Sequence, residues 1–310
     1  MAIYRRSLIL LSKLETTYGT DATPTGAANA IKAKNVKISP MEGQDLSRDL
    51  DLPAMGNQGT IPADLHMKLD FDIELAPSGT AGTAPAFAHL LRACGLAQTI
   101  AAGVSVTYNP VTEGHEAVTH YFQLGGTLWK MKGTKGNVKF TLNAQGIPTM
   151  NFSFLGLFEL PGEAARPTPV YTAWKKPIIV SNTNTPVHTI NGVVLTMKEF
   201  SFDLGNKLAP RFLIGEDAIM IEDRAETVET KVNAVPVSTF DPFALAIAQT
   251  EVPLILTHGL TAGNRVTFNV PLAQLQRTAG LEDSQGVVEW PLRLAPQISA
   301  GNDQYTIVFT

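Results

Sequence analysis

The segment His115-Glu116-Ala117-Val118-Thr119-His120 places two imidazoles and a carboxylate within six residues, a set able to hold zinc and activate water. A zinc hydrolase of that type needs H-E-x-x-H on a helix, which sets both histidines one turn apart. Here the spacing is one residue too long, and Thr119 stands where the second ligand belongs. The preceding Asn109–Gly114 stretch reads as a loop, so the segment reads as surface histidines without a metal. Lys130, Lys132 and Lys135 lie among glycines beside Trp129. A phosphate cradle needs G-x-x-x-x-G-K-[ST] between a strand and a helix; neither spacing nor context is present, and a solvated hairpin is expected. Asp70, Asp72 and Glu74 stand at i, i+2 and i+4, on one strand face. An acid/base pair needs environments that push two pKa values apart, and a uniform wet stripe supplies no such asymmetry. No G-x-S-x-G elbow occurs, and His66, His89, His188 and His258 have no nucleophile near them in sequence. The single cysteine, Cys94, excludes an internal disulfide and a cysteine-built zinc site; its apolar surroundings predict a buried thiol. A carbohydrate-active site would need aromatic platforms, and Trp129, Trp174 and Trp290 are far apart. The expectation is no enzyme and no cofactor.

The elements around these residues read as β. The chain has 310 residues, 44% hydrophobic and 17% charged, enough to bury sizeable cores. A net charge of −4 gives no overall basic footprint for nucleic acid. In His66–Leu75, Met67, Leu69, Phe71, Ile73 and Leu75 fall on one face, and Lys68, Asp70, Asp72 and Glu74 on the other. That pattern predicts a strand with one buried and one wet face. Asn137–Leu160 reads as a hairpin turning at Asn143–Pro148. Only Pro85–Gln98 and Asp241–Thr250 look helical, the second with Asp241 as N-cap and Pro242 at the first helical position. Near the start, Arg5 and Arg6 precede Leu8–Leu11. Four apolar residues are too few for an export signal, and no stretch of about 18 spans a bilayer, so a short strand and no membrane are expected.

The two helices prompt a search for a repeat. Asp45-Leu46 aligns with Asp203-Leu204, and Gly56 with Gly215, at an offset of roughly 157 residues. The expected division is a strand and arm over 1–35, a β domain over 36–160, a proline-stiffened linker over 161–190 and a second β domain over 191–310. Tyr171 and Trp174 in the linker are costly to leave in water, so the linker is expected to lie on the surface of the domains.

The stretch Glu15–Asn57, "ETTYGTDATPTGAANAIKAKNVKISPMEGQDLSRDLDLPAMGN", resembles major tail tube proteins of long-tailed bacteriophages. It carries a "TYGTD" segment at Thr17–Asp21, "P-x-E-G" at Pro40–Gly43, and an "R-D…P-x-x-G" stretch at Arg48–Gly56 with one residue inserted before Pro53. The later Phe200–Thr230 stretch resembles a tube domain again, with Asn206 and Arg224 at its "G-N" and "D-R" positions. The resemblance implies a mainly β fold of two tandem tail-tube-type β-sandwich or barrel domains, each with one flanking short α-helix. It also implies a structural protein of the virion tail, assembled in the host cytoplasm, whose rings stack into a tube for DNA ejection. Two tube domains per chain imply trimers that imitate sixfold rings. Partners are further copies of the chain, a tape measure protein, tail terminator and distal tail proteins, and double-stranded DNA in transit without specific binding. On this reading Asp70, Asp72, Glu74, Glu222 and Glu226 line an acidic lumen. Tyr4, Arg5, Arg6, Leu8 and Trp129 make contacts between rings. The competing expectation is a baseplate or receptor-binding β protein of the same virion.

Overall fold

The computed structural model describes residues 3–278 and 280–310; 51% of the chain is strand and 7% helix. The first half contains β1 (Leu8–Leu14), α1 (Gly26–Asn29), β2 (Lys34–Ser47), β3 (Thr60–Glu74), α2 (Ala88–Ala93), β4 (Leu96–Ala101), β5 (Ser105–Pro110), β6 (Val118–Leu124), β7 (Thr127–Asn143), β8 (Thr149–Leu157) and β9 (Gly162–Glu163). The second half contains β10 (Val187–Ile190), β11 (Val193–Val194), β12 (Met197–Asp203), β13 (Asn206–Leu213), β14 (Glu216–Arg224), β15 (Thr227–Asn233), α3 (Pro242–Ala248), β16 (Glu251–His258), β17 (Val266–Leu275), β18 (Glu282–Ser284), β19 (Val287–Pro296) and β20 (Thr306–Phe309).

Each half has two β layers, and the antiparallel pairings of the second repeat those of the first. In the first half, β6 joins β1 to β7, and β9 adds to the start of β7. Its other layer runs β2–β3–β8–β7, with β7 long enough to serve both. In the second half, β16 joins β10 to β17, and β20 adds to the start of β17. Its other layer runs β12–β15–β19–β18. The alternation read in β3 holds: Met67, Leu69, Phe71 and Ile73 are at most 1% exposed. Inward Phe152 and Phe154 on β8 stack against Phe71 at 5.6 and 5.7 Å.

Within the sheets, two strand pairings and an aromatic cluster join the halves. Strand β12 pairs with β7, Phe202 opposite Phe140. Strand β20 pairs with β5, Ile307 opposite Tyr108. Between these seams an aromatic cluster forms: Phe140 meets Phe268 at 5.1 Å, and Phe202 meets Tyr305 at 4.8 Å. The buried side chains of both halves therefore form one continuous cluster.

Three sequence expectations change. The helix expected over Pro85–Gln98 is only Ala88–Ala93. Gly95 takes a left-handed φ of +74°, and Leu96–Ala101 then pairs with β5. An apolar run alone does not separate a helix end from a buried strand. The second helix is closer, with Asp241 accepting from the Phe243 and Ala244 amides. Second, His120 is not at the surface: it lies on β6, inside, between Val118 and Phe122. Third, Asp45 and Asp203 are not equivalent. Asp45 faces Pro62 near a hairpin tip, whereas Asp203 faces Thr227 within the sheet. Leu46 is 52% exposed and Leu204 fully buried.

Candidate assembly surface

The second layers of the two halves fuse through β7–β12 into one eight-strand wall: β2–β3–β8–β7–β12–β15–β19–β18. Its polar face is concave, with two hollows of about 750 and 630 Å³ that share Lys139. Asp70, Asp72 and Glu74 stand together on it, held by ordinary polar partners. Asp72 accepts from Asn35 and Asn151, both at 2.6 Å. Lys68 lies 3.6 Å from Asp70, and Lys34 lies 4.0 Å from Glu74. Across the seam the same interleaving continues, with Lys139–Glu229 at 3.7 Å and Lys231–Glu199 at 3.5 Å. These side chains are mostly a third to a half exposed, where a pair is worth at most about 1 kcal/mol. The arrangement keeps the face hydrated and charge-balanced, and Glu289, largely buried on the same face, is paired with Lys198 at 3.0 Å. Among the described residues no cluster of three or more His, Cys, Asp or Glu could hold a metal, and no helix is long and apolar enough to cross a membrane.

The wall has two open ends. Among the described residues, the outer edges of β2 and β18 have no strand partner. Unpaired edges of this kind are templates for another chain. At β12 the chain also leaves the wall as the hairpin β13–β14, a separate two-stranded sheet laid back over the first half. Asn206 fixes its base, donating to the carbonyls of Cys94 at 2.7 Å and Gly136 at 2.9 Å. Arg224 donates to Asn206 Oδ1 at 2.8 Å and to the Gly95 carbonyl at 3.0 Å. Further along, the Ile219 amide donates to the Tyr18 hydroxyl at 2.6 Å. Burial pushes the Tyr18 pKa up, so the hydroxyl stays protonated at neutral pH.

A phage tail tube protein family model matches residues 6–304. The chain belongs to that family. A search of curated proteins finds no match. As a tail tube protein the chain is a structural component of the virion tail. Three of the residues that carried the resemblance, Tyr18, Asn206 and Arg224, bond across the two halves. Tyr18, from the "TYGTD" segment, anchors β14; Asn206 and Arg224 anchor the base of the hairpin. Asp21, from the same segment, accepts from the Tyr121 hydroxyl at 2.6 Å and from Lys130 at 3.0 Å, fastening the loop to β6 and β7.

The remaining expected site residues are dispersed. Glu222 is on β14, paired with Lys207 at 2.7 Å and away from the wall. Glu226 lies between β14 and β15, mostly buried, and burial raises its pKa. Tyr4 is 76% exposed, Arg6 is exposed, and Arg5 donates to the Val36 carbonyl at the β2 end of the wall. Leu8 and Trp129 pack partly against the core, Trp129 edge-on to Phe122 at 5.5 Å. Trp174 in the linker packs as expected and donates to the Ala30 carbonyl at 2.8 Å; Tyr171 stays 38% exposed. The residues sequence reasoning did not single out are Asn137 and Gly136 on β7, which receive the hairpin.

Proposed function

We propose that the protein polymerises into tail tube rings by joining the β2 edge of one copy to the β18 edge of the next. The observation that carries this is the β7–β12 seam: it continues one four-strand layer into another within the chain, while both ends of the resulting wall stay open. On this reading residues 36–160 and 191–310 are tandem tube domains, and one chain supplies two of six quasi-equivalent positions. Three copies then close a ring by heterologous contacts whose rotation closes. A barrel of about twenty-four strands, spaced ~4.8 Å apart, is wide enough to leave an open channel.

The concave polar face lines that channel, with Asp70, Asp72 and Glu74 among its carboxylates. Phosphate binding draws on cations that can release condensed counterions. Lys34, Lys68, Lys139, Lys231 and Arg293 each lie within 4.0 Å of a carboxylate, which leaves Arg5, Lys37 and Arg277 as the lining cations without one among the described residues and limits the grip on a passing duplex. The role is structural, with the tape measure, terminator and distal tail proteins as neighbours and the host cytoplasm as the place of assembly. Tyr4, Arg6 and the 48–59 loop are the exposed groups that face adjoining rings. Averaged cross-sections of purified assemblies by electron microscopy test the reading. Rings of three chains with six similar lobes are expected; isolated particles or rings of six chains overturn it.

A further inference from the structure

Hairpin β13–β14 and the outer part of hairpin β2–β3 begin alike. Gly205, just before β13, has φ +64°, and Gly43, at a bulge within β2, has φ +155°. A Cβ on Gly205 would meet the Ala225 carbonyl oxygen at 2.0 Å, and one on Gly43 would meet that of Ala63 at 2.5 Å. Each hairpin then carries a Leu–Ile cross-strand pair at the third residue after its glycine: Leu208 opposite Ile221, reached through a bulge after Lys207, and Leu46 opposite Ile61 in unbroken register. Their surroundings differ. Ile221 is 9% exposed, because it lies over the end of α2 with its Cδ1 close to Gly95. Leu46 and Ile61 are 52% and 55% exposed.

The receiving surface is duplicated too. Helix α2 ends at Gly95 with φ +74°, and α3 ends at Gln249 with φ +54°. Cys94, whose carbonyl accepts from Asn206 at the base of the docked hairpin, is fully buried. The matching Ile247 is 85% exposed, and Ala248 and Gln249 are exposed as well. Within one chain the free hairpin and the free helix end cannot meet, because β2 and β18 stand at opposite ends of the wall.

We infer that the Glu42–His66 hairpin of one copy docks on the α3 end of a second copy, burying Leu46 and Ile61 against Ile247. The occupant is a second copy because the chain already contains this joint once, between its own halves. The inference rests on the ring reading and adds the joint that locks each edge pairing. It also explains a difference in sequence: Ala63 stands where β14 has Arg224, so the joint between copies lacks the guanidinium bonds of the internal one. A joint made of apolar contact and backbone pairing forms at high subunit concentration and leaves the free subunit soluble.

The double variant Leu46→Asp/Ile61→Asp tests this beside the unaltered chain, by sedimentation velocity at high subunit concentration, electron microscopy of the same samples and thermal melting. Both residues are exposed in the free subunit, so its melting temperature stays within about 2 °C. The expected result is trimers from the unaltered chain and at least a tenfold loss of trimer from the variant. Trimers in equal yield overturn the joint and leave the ring reading standing. Variant rings that close but do not stack also overturn it, since the hairpin would then act between rings. An unaltered chain that never forms rings removes the ring reading first, and the joint with it. As a positive test, Gln44→Cys/Gln249→Cys treated with a short bismaleimide should give covalent species ending at the trimer. Monomer alone from assembled rings overturns the joint. Cys94 is fully buried and stays unmodified in the folded protein.

Discussion

Two hairpins that each carry a Leu–Ile cross-strand pair shortly after a positive-φ glycine end in opposite environments, one docked under Asn206 and Arg224, the other open to water. The difference teaches what the sequence patterns of the two halves are for. The docked hairpin carries the polar clamp that makes two sandwiches into one molecule. The open hairpin keeps the apolar pair and drops the clamp. A permanent joint inside the chain and a reversible joint between chains are then two settings of one device, and each can be disturbed separately.

The largest expected effect lies at the internal seam. Phe202 packs among Phe140, Phe268 and Tyr305. Phe202→Ala should cost about 3–5 kcal/mol, the usual cost of emptying a packed aromatic site. Because the core is continuous, calorimetry should show one unfolding transition moving down as a unit. Two separated transitions, with only one shifted, would mean that the halves are joined more loosely than the cluster implies.

Acid sharpens the contrast between halves. His120 is buried where α2 packs on β6, His89 on α2 turns its Nε2 away from water, and His89 Nε2, His120 Nδ1 and His120 Nε2 have no partner among the described residues. Burial, then the charge of Arg92, depresses His89 to about 4; burial, then His89, depresses His120 to about 3. His188 and His258, in the second half, are also depressed by burial, but both rings have hydrogen-bond partners. The folded values lie below the ordinary value of about 6.5, so the unfolded chain takes up protons first. Stability is therefore complete above about pH 6.5 and is lost as pH falls towards 3. At pH 4 each first-half histidine costs about 3 kcal/mol. His120→Leu should move the acid midpoint of unfolding downward while leaving stability at pH 7 within about 1.5 kcal/mol. An unchanged midpoint would remove His120 from the account.

The clamp comes next in size. Arg224→Ala leaves the Gly95 carbonyl and Asn206 Oδ1 short of a donor, which should cost about 1–3 kcal/mol. Urea unfolding measures it. The matched change in the open hairpin, Ala63→Arg, should leave the free subunit's stability within about 0.5 kcal/mol. A large loss there would show that the open hairpin is already packed.

Much of this was legible. The wet and buried faces of β3 follow from strict alternation, and the Asp241 cap from its place before Pro242. The buried place of His120 was also readable, since Val118, His120 and Phe122 share one parity. The preceding Asn109–Gly114 stretch reads as a loop, and that outweighs the parity. What the sequence could not show is long-range. The strand after Gly95 exists because β5 lies beside it, and the equivalence of Gly43 with Gly205 depends on which partner strand each crosses. Glu222 and Glu226 alternate like wall residues, yet the chain leaves the wall after β12 and re-enters it only at β15, and local periodicity does not encode that excursion.

The smallest effect belongs to the wall face itself. Lys139 stands opposite Asp203 at the seam and lies 3.7 Å from Glu229, with both side chains well solvated. Lys139→Gln removes a screened pair and keeps the aliphatic stem over β7, so stability should change by less than about 1 kcal/mol. Added salt should shrink that difference further, because exposed charges about 4 Å apart interact largely through water. Chemical unfolding at low and high salt measures both quantities. A loss several times larger, or one that persists in high salt, would mean that the face is shielded from water and that its charges help hold the seam. The contrast would then change, because the internal joint would depend on the polar face as well as on the clamp and the aromatic cluster behind it.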